Sequence, residues 1–222
     1  MRLVFDKAGE RYYETGTDRG VLYPWDDSTN GYGTGVVWNG LISVNESPGG
    51  AEATDMYADN IKYASLRSAE TFGATIEAYQ SPAEFDVCDG SAEVVPGGFI
   101  GQQNRKAFGF AYRTMIGSDT TSADENYKLH LIYGATAAPS EKAYGTINDS
   151  PDAITLSWEI ETTPVEVPNY KPTASMVIDS RTVAADKLKK LEDILYGTDT
   201  ESGTEPRLPL PSEVISIMSS EN

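Results

Sequence analysis

Residues 153–162 read AITLSWEIET. In an extended chain Ile154, Leu156, Trp158 and Ile160 fall on one side, and Thr155, Ser157, Glu159 and Glu161 on the other. A period of two sustained over four pairs identifies a β-strand with one dry face and one wet face. The same pattern recurs on both sides of this segment. Phe72, Ala74, Ile76 and Ala78 form an apolar face with Thr75, Glu77 and Tyr79 behind it, and residues 108–116 set Phe108, Phe110, Tyr112 and Ile116 against Arg113. Further strands are expected near 2–6, 35–45, 60–67, 127–133 and 172–179. Pro82, Pro139, Pro151, Pro164 and Pro168 fall between the runs, where a proline does least damage to a ladder. No long helical crossover separates the strands, so the sheet should be mainly antiparallel.

One segment carries a helical period instead. After Ser180, Ala184, Leu188, Leu191 and Leu195 recur at helical spacing, and Gly197 stands where a left-handed stop belongs. This predicts a helix over about 182–196. The 222 residues, 39% of them hydrophobic, can fill one sizeable core, and 20 glycines with 12 prolines fit many short strands joined by turns. The expected fold is therefore mainly β: one antiparallel sandwich or barrel domain over 1–196, partly arm-like in 1–34, with one flanking helix. The remainder, 197–222, is polar and proline-rich and reads as a C-terminal arm. Within it Ser212 is placed to cap a short helix at 213–218.

The formal charge is −17, from 34 acidic and 17 basic residues. The imbalance is concentrated in residues 14–104, where fourteen acids face only Arg19, Lys62 and Arg67 for a net of −11, leaving −6 elsewhere. Such a surface repels nucleic-acid phosphates and anionic membranes at contact range. Cys88 is the only cysteine, so no internal disulfide can form. The first residues, MRLVFDKAGERYYETG, lack the apolar segment of a secretory signal, and no apolar run approaches the roughly 18 residues that span a bilayer. The expectation is a protein made in a cytoplasm and not bound to membrane. The triplet Asn148-Asp149-Ser150 is then a turn rather than a glycosylation site.

The sequence lacks the signatures of catalysis and of cofactor binding. Gly31, Gly33 and Gly35 are spaced G-x-G-x-G and lead into the strand-like VVWNGLISV, whereas a dinucleotide loop needs G-x-G-x-x-G opening a helix. His130, the only histidine, alternates with Leu129 and Leu131 and so belongs to the polar or interfacial side of a strand. A Ser-His-Asp triad through it has no G-x-S-x-G elbow to support it. One histidine and one cysteine cannot build a structural zinc site. Glu84, Asp86, Asp89 and Glu93 lack the oxygen pattern of a calcium loop and read as a solvated acidic turn. No catalytic residue, metal ligand or cofactor is assigned.

Several long segments together resemble one family: YADNIKY (57–63), FGATIEAYQSPAEFDVCDGS (72–91), GQQNRKAFGFAYRTMIG (101–117), KLHLIYGATAAPSEKAYGTINDSPDAITLSWEIETTPV (128–165), KPTASMVIDS (171–180) and LEDILYGT (191–198). They are similar to the major tail protein, or tail tube protein, of long non-contractile-tailed bacteriophages, over roughly residues 35–218. The resemblance implies a β-sandwich or barrel with a helix on its flank. It also implies hexameric rings stacked into a tube, through which DNA passes without specific binding. The implied partners are further copies of the chain and other tail proteins such as the tape measure, terminator and distal tail proteins. The implied place is the virion tail, assembled in the host cytoplasm.

Three sets of residues become candidates under this reading. Glu77, Glu159 and Glu161 are expected to face the lumen. The segment 46–60, read as a long loop, is expected to contact the next ring through Glu46, Pro48, Gly49, Glu52, Asp55 and Tyr57. Leu208, Leu210, Val214 and Ile217 are expected to dock the C-terminal arm on a neighbour. Three rivals stand beside this reading. They are a glycan-binding sandwich using Trp25, Trp38 and Trp158, a tail-associated hydrolase, and a ring former of a related secretion apparatus.

Overall fold

The computed structural model describes residues 3–122, 125–147, 152–199 and 203–220. The strand expected at 2–6 is not formed: residues 3–11 contain none, and the chain turns there through Asp6 (φ +54°) and Gly9 (φ +82°). Sheet structure begins with β1 (Tyr12–Asp26), the longest strand, followed by the two-residue strands β2 (Gly31–Tyr32) and β3 (Val36–Val37). The strand expected at 35–45 is broken after β3 by a turn at Asn39-Gly40, and β4 runs from Leu41 to Glu46. Next come β5 (Gly49–Gly50), β6 (Ala53–Ala58), β7 (Ile61–Arg67), β8 (Glu70–Thr71) and β9 (Gly73–Ala78). A single 3-10 turn at Ala83–Phe85 leads to β10 (Ala92–Val95) and β11 (Gly98–Ile100). The remaining strands are β12 (Phe108–Ser118), β13 (Asn126–Ala137), β14 (Leu156–Thr162) and β15 (Ser175–Asp179). Two helices close the chain, α1 (Ala185–Tyr196) and α2 (Pro211–Ser219). The Asn148 triplet and Pro151 lie outside the described residues.

The main sheet is antiparallel, in the order β2-β1-β12-β13-β14-β9-β4, with β3 added to β1 and β15 to β13. β13 is the branch point. Lys128–Ile132 pair with β15, whereas Ala135–Ala137 pair with β14 on the same side. Between them stands Gly134 at φ +58°, where an added Cβ would lie 2.2 Å from the Thr163 carbonyl oxygen. Only glycine allows the two half-sheets to divergence this closely. From this fork β14, β9 and β4 fold back over the face of β1, β12 and β13, giving an antiparallel β-sandwich.

The interior between the two half-sheets is aromatic. Trp38 packs on Phe85, Phe110 and Trp158 with ring centroids 4.6, 5.5 and 5.3 Å apart, and Phe85 meets Phe108 edge-on at 5.4 Å. Such contacts add roughly 0.5–1.5 kcal/mol each beyond the area they bury. Ile76, Ile160, Ile132 and the thiol of Cys88 complete this core. Ile154, expected in the same apolar row, is 40% exposed, because β14 starts at Leu156, where its partner β9 ends at Ala78.

A second core lies on the other face of β1, β12 and β13. There Tyr23, Leu129, Leu131, Tyr133 and Ile178 are covered by Leu188, Leu191 and Leu195 of α1. Burial on both sides explains why β12 carries small residues opposite its aromatic row. Leu208 presses so close on Gly109 that a Cβ there would sit 2.3 Å from Leu208 Cδ2. The helix expected at 182–196 begins at Ala185 and stops at Gly197 (φ +78°). The final helix begins at Pro211, a residue suited to the first helical position, with Leu210 rather than Ser212 preceding it.

Candidate functional site: an acidic sheet face and two projecting hairpins

Strand pairing brings the three candidate lumen residues onto one surface. Ser43, Glu77 and Ser157 form one row across β4, β9 and β14. Asn45, Thr75 and Glu159 form the next, and Gly73 and Glu161 the third. Burial alternates strictly along β9 and nearly so along β14: Ala74, Ile76, Trp158 and Ile160 point into the core, while on the other face Thr75 and Glu77 are half-buried and Glu159 and Glu161 are exposed. The Ser43 hydroxyl donates to Glu77 Oε2 at 2.7 Å and fixes that carboxylate in its row. The rows present three glutamates and no lysine or arginine. Grooves of about 430 and 360 Å³ border the face on either side of Glu159.

The segment expected as a loop at 46–60 is mostly strand. β5 pairs with β8, and β6 pairs with β7 around a tight turn at Asp59 and Asn60, both at positive φ. The result is an extension growing out of β4 and β9 that forms sheets of its own. Pro48, Gly49, Glu52, Asp55 and Tyr57 lie on it, all exposed, with Asp55 paired to Lys62 at 2.7 Å. A two-stranded hairpin has only marginal stability in water when nothing covers it. This one nonetheless shows Tyr57 and Tyr63 at 71% and 73% exposure, beside exposed Met56, Ile61 and Leu66.

Glu46 does not belong to that projection. It pairs with Ala74, so it lies on the side of β4 that turns toward β12 and β13, where it remains partly exposed at the edge of the sandwich. Its Oε1 accepts the Tyr112 hydroxyl at 2.7 Å and lies 3.5 Å from His130 Nδ1. The His130 ring stacks on Tyr112 (4.5 Å, 11°), and its Nε2 is 3.0 Å from Thr114 Oγ1. The His130 contact, with help from Tyr112, holds the Glu46 carboxyl below its usual range against the effect of burial. Burial, and then the hydrogen bond to Glu46, push the Tyr112 phenol up. The group ties β4 to β12 and β13. It joins residues far apart in sequence, which no local pattern announces.

A second hairpin, β10–β11, was not foreseen. Its signal was Pro96-Gly97-Gly98 between Val94-Val95 and Phe99-Ile100, a turn flanked by strand-forming residues. Glu93 Oε1 accepts the Gly97 amide at 2.8 Å and braces the turn. Val94, Val95, Phe99 and Ile100 are all exposed.

The C-terminal arm is corrected more thoroughly. Leu208 (3% exposed) and Val214 (0%) belong to the domain's own second core. The segment is hydrogen-bonded to it as well: the Arg207 amide donates to Ile194 O at 2.9 Å, Gly35 to Pro206 O at 2.7 Å, and the Tyr133 hydroxyl to Pro209 O at 3.1 Å. Of the four candidates only Leu210, 43% exposed, is available to a neighbour, since Ile217 is half-buried.

Trp38 and Trp158 are sealed in the first core, and Trp25 packs edge-on against Tyr32 at 5.3 Å. Among the described residues no helix is long and apolar enough to cross a membrane. No protein-family model matches the chain, and no curated protein matches it.

Proposed function

We propose that this chain is a structural tube protein of the phage-tail kind, whose copies form hexameric rings that stack around a channel for DNA. The acidic face of β4, β9 and β14 carries the reading. A wall that lets a polyanion slide must hide one side in a folded core and show the other as polar, anionic and free of cations. The rows bearing Glu77, Glu159 and Glu161 meet that requirement. In this reading the other tail proteins meet the tube at its ends and in its channel, in the virion tail. The glycan-binding alternative is weakened because Trp38 and Trp158 cannot reach a sugar.

The test is direct. The purified protein, imaged by negative-stain microscopy over a range of concentrations, should show rings or tubes. Changing Glu77, Glu159 and Glu161 together to lysine should leave the protein folded, since surface substitutions usually change stability by about 0.5 kcal/mol or less and only the half-buried Glu77 gives up a hydrogen bond, from Ser43, worth about 1 kcal/mol. Tubes of that variant should retain duplex DNA in low salt and release it as salt rises. A protein that stays monomeric at all concentrations would remove the proposal. Tubes whose DNA retention is unaltered would remove the lumen assignment.

A further inference from the structure

The turn that follows Phe85 and the loop that follows β13 meet at an ion pair. Asp89 Oδ2 accepts from Lys142 Nζ at 2.5 Å, although 53 positions of sequence separate them. Asp89 Oδ1 accepts from Arg105 Nη1 at 3.3 Å, and the same nitrogen donates to the carbonyls of Ala137 and Ala138 at 3.0 and 3.3 Å. Only 12% of the Asp89 side chain and 33% of the Lys142 side chain are exposed, so the turn expected to be solvated and acidic carries one nearly enclosed carboxylate. The wall beside the pair is aromatic. Lys142 Nζ lies 5.9 Å from the centre of the Trp158 ring, and Phe85 packs edge-on against Trp158 at 5.6 Å. The amides of Cys88 and Asp89 both donate to Phe85 O, at 2.8 and 2.9 Å. The chain therefore winds helically here, and Asp86, three residues before Asp89, shares its side of the turn. Partial burial and then the Asp89 charge push the Asp86 carboxyl above its usual range, with Lys142 opposing and Glu93 adding to the rise.

An amine, a carboxyl in contact with it and a second carboxyl able to carry a proton are the groups that amide formation needs. We propose that the folded chain joins Lys142 and Asp89 by an isopeptide bond between their side chains, with Asp86 as the proton carrier. Inside the pair the ammonium passes one proton to the carboxylate, leaving an amine and a carboxylic acid. The nitrogen lone pair then attacks Asp89 Cγ while the Asp86 carboxyl hydrogen-bonds the carbonyl oxygen. The C–N bond forms, one C–O bond breaks, and the departing oxygen leaves as water, taking a second proton from nitrogen through Asp86. One ammonium and one carboxylate become one amide and one water, with no oxidation and no other reactant. Holding the two groups in contact replaces a bimolecular collision, an advantage equivalent to effective molarities of about 10⁵–10⁸ M. The aromatic wall limits the water that would reverse the step. The bond would fasten the irregular loop that carries Lys142 and close a covalent ring of chain around β10 to β13. Such closure restricts the unfolded chain as a disulfide does, a staple that the single cysteine cannot supply.

Mass spectrometry tests the bond directly. The purified full chain, denatured, should weigh one water less than its sequence, and proteolysis should release a branched peptide joining the segments around Asp89 and Lys142. Lys142→Arg keeps the charge but should retain the full mass and melt about 10 °C below the parent. Asp86→Asn keeps the pair but should cross-link on the order of a hundredfold more slowly, followed by mass from the moment of synthesis. A parent of full mass after prolonged incubation overturns the proposal. Water loss that survives Lys142→Arg, with no branched peptide, also overturns it, because Asp89 has then closed on the backbone amide of Gly90 instead. Cross-linking of Asp86→Asn at the parent's rate overturns the role given to Asp86.

Discussion

Two segments of this chain look alike in sequence and end in opposite situations. Residues 46–71 and 197–220 both carry several acids and begin near glycine or proline, and both read as excursions from the domain. The first forms a paired hairpin that buries nothing, with Met56, Tyr57, Ile61, Tyr63 and Leu66 in solvent. Among its described residues the second has no strand, yet it inserts Leu208 and Val214 into the core and donates or accepts backbone bonds along its path. Secondary structure and burial are thus independent properties here. A segment joins the core when a cavity elsewhere fits its side chains, as the surface over Gly109 fits Leu208, and not because its composition is apolar.

The largest effect expected follows from removing the inserted segment. Truncation after Gly197 strips cover from Tyr133, Leu191 and Leu195, and should give a protein that is unfolded or molten near 37 °C by near-ultraviolet dichroism. A truncated chain melting within a few degrees of the parent would erase the contrast. Single substitutions sharpen it. Leu208→Ala should cost about 2–4 kcal/mol in urea titrations and Val214→Ala somewhat less, because each leaves a cavity in a packed core.

The projecting segment should behave in the opposite way. Replacing residues 52–68 with two glycines should change the free energy of unfolding by less than about 1 kcal/mol while abolishing assembly, since no core contact is lost. A loss of several kcal/mol would show that the extension supports the sandwich after all.

The smallest effect concerns the root of that extension, where Glu46 is held by Tyr112 and His130. Its carboxyl is below the usual range in the folded protein, so the stability it adds is present above the unfolded carboxylate range and is lost as pH falls through the folded value. Below about pH 4 the parent should lose its advantage over Glu46→Gln in thermal melts, a difference on the order of 1 kcal/mol near neutrality that shrinks on acidification.

What could be read from the sequence was whatever repeats locally. Alternation gave the dry and wet faces of β9, β12 and β14, and the helical period gave α1, because neighbours two or four residues apart share an environment. Glu159 and Glu161 were assignable to one face for the same reason. That Glu77 shares their surface depends on the register of β9 against β14, which no single strand encodes. β1 was missed because the bulges between Thr15 and Thr17 and between Asp18 and Val21 break its period. β6, ATDMYA, was missed because acids and alanines stand where β-branched residues would normally mark a strand. The burial of Leu208 and the grouping of Glu46 with His130 depend on partners some 80 to 100 residues away.

The lone thiol carries a practical consequence. Cys88 is fully enclosed in the aromatic core, and burial pushes its pKa up to about 12, so almost no thiolate exists in the native protein at neutral pH. A thiol reagent must wait for that core to open. The rate at which this chain takes up one label is then a clock for the opening of the sandwich, readable in a free subunit and again inside any assembly, and the ratio of the two rates measures how much neighbours slow it.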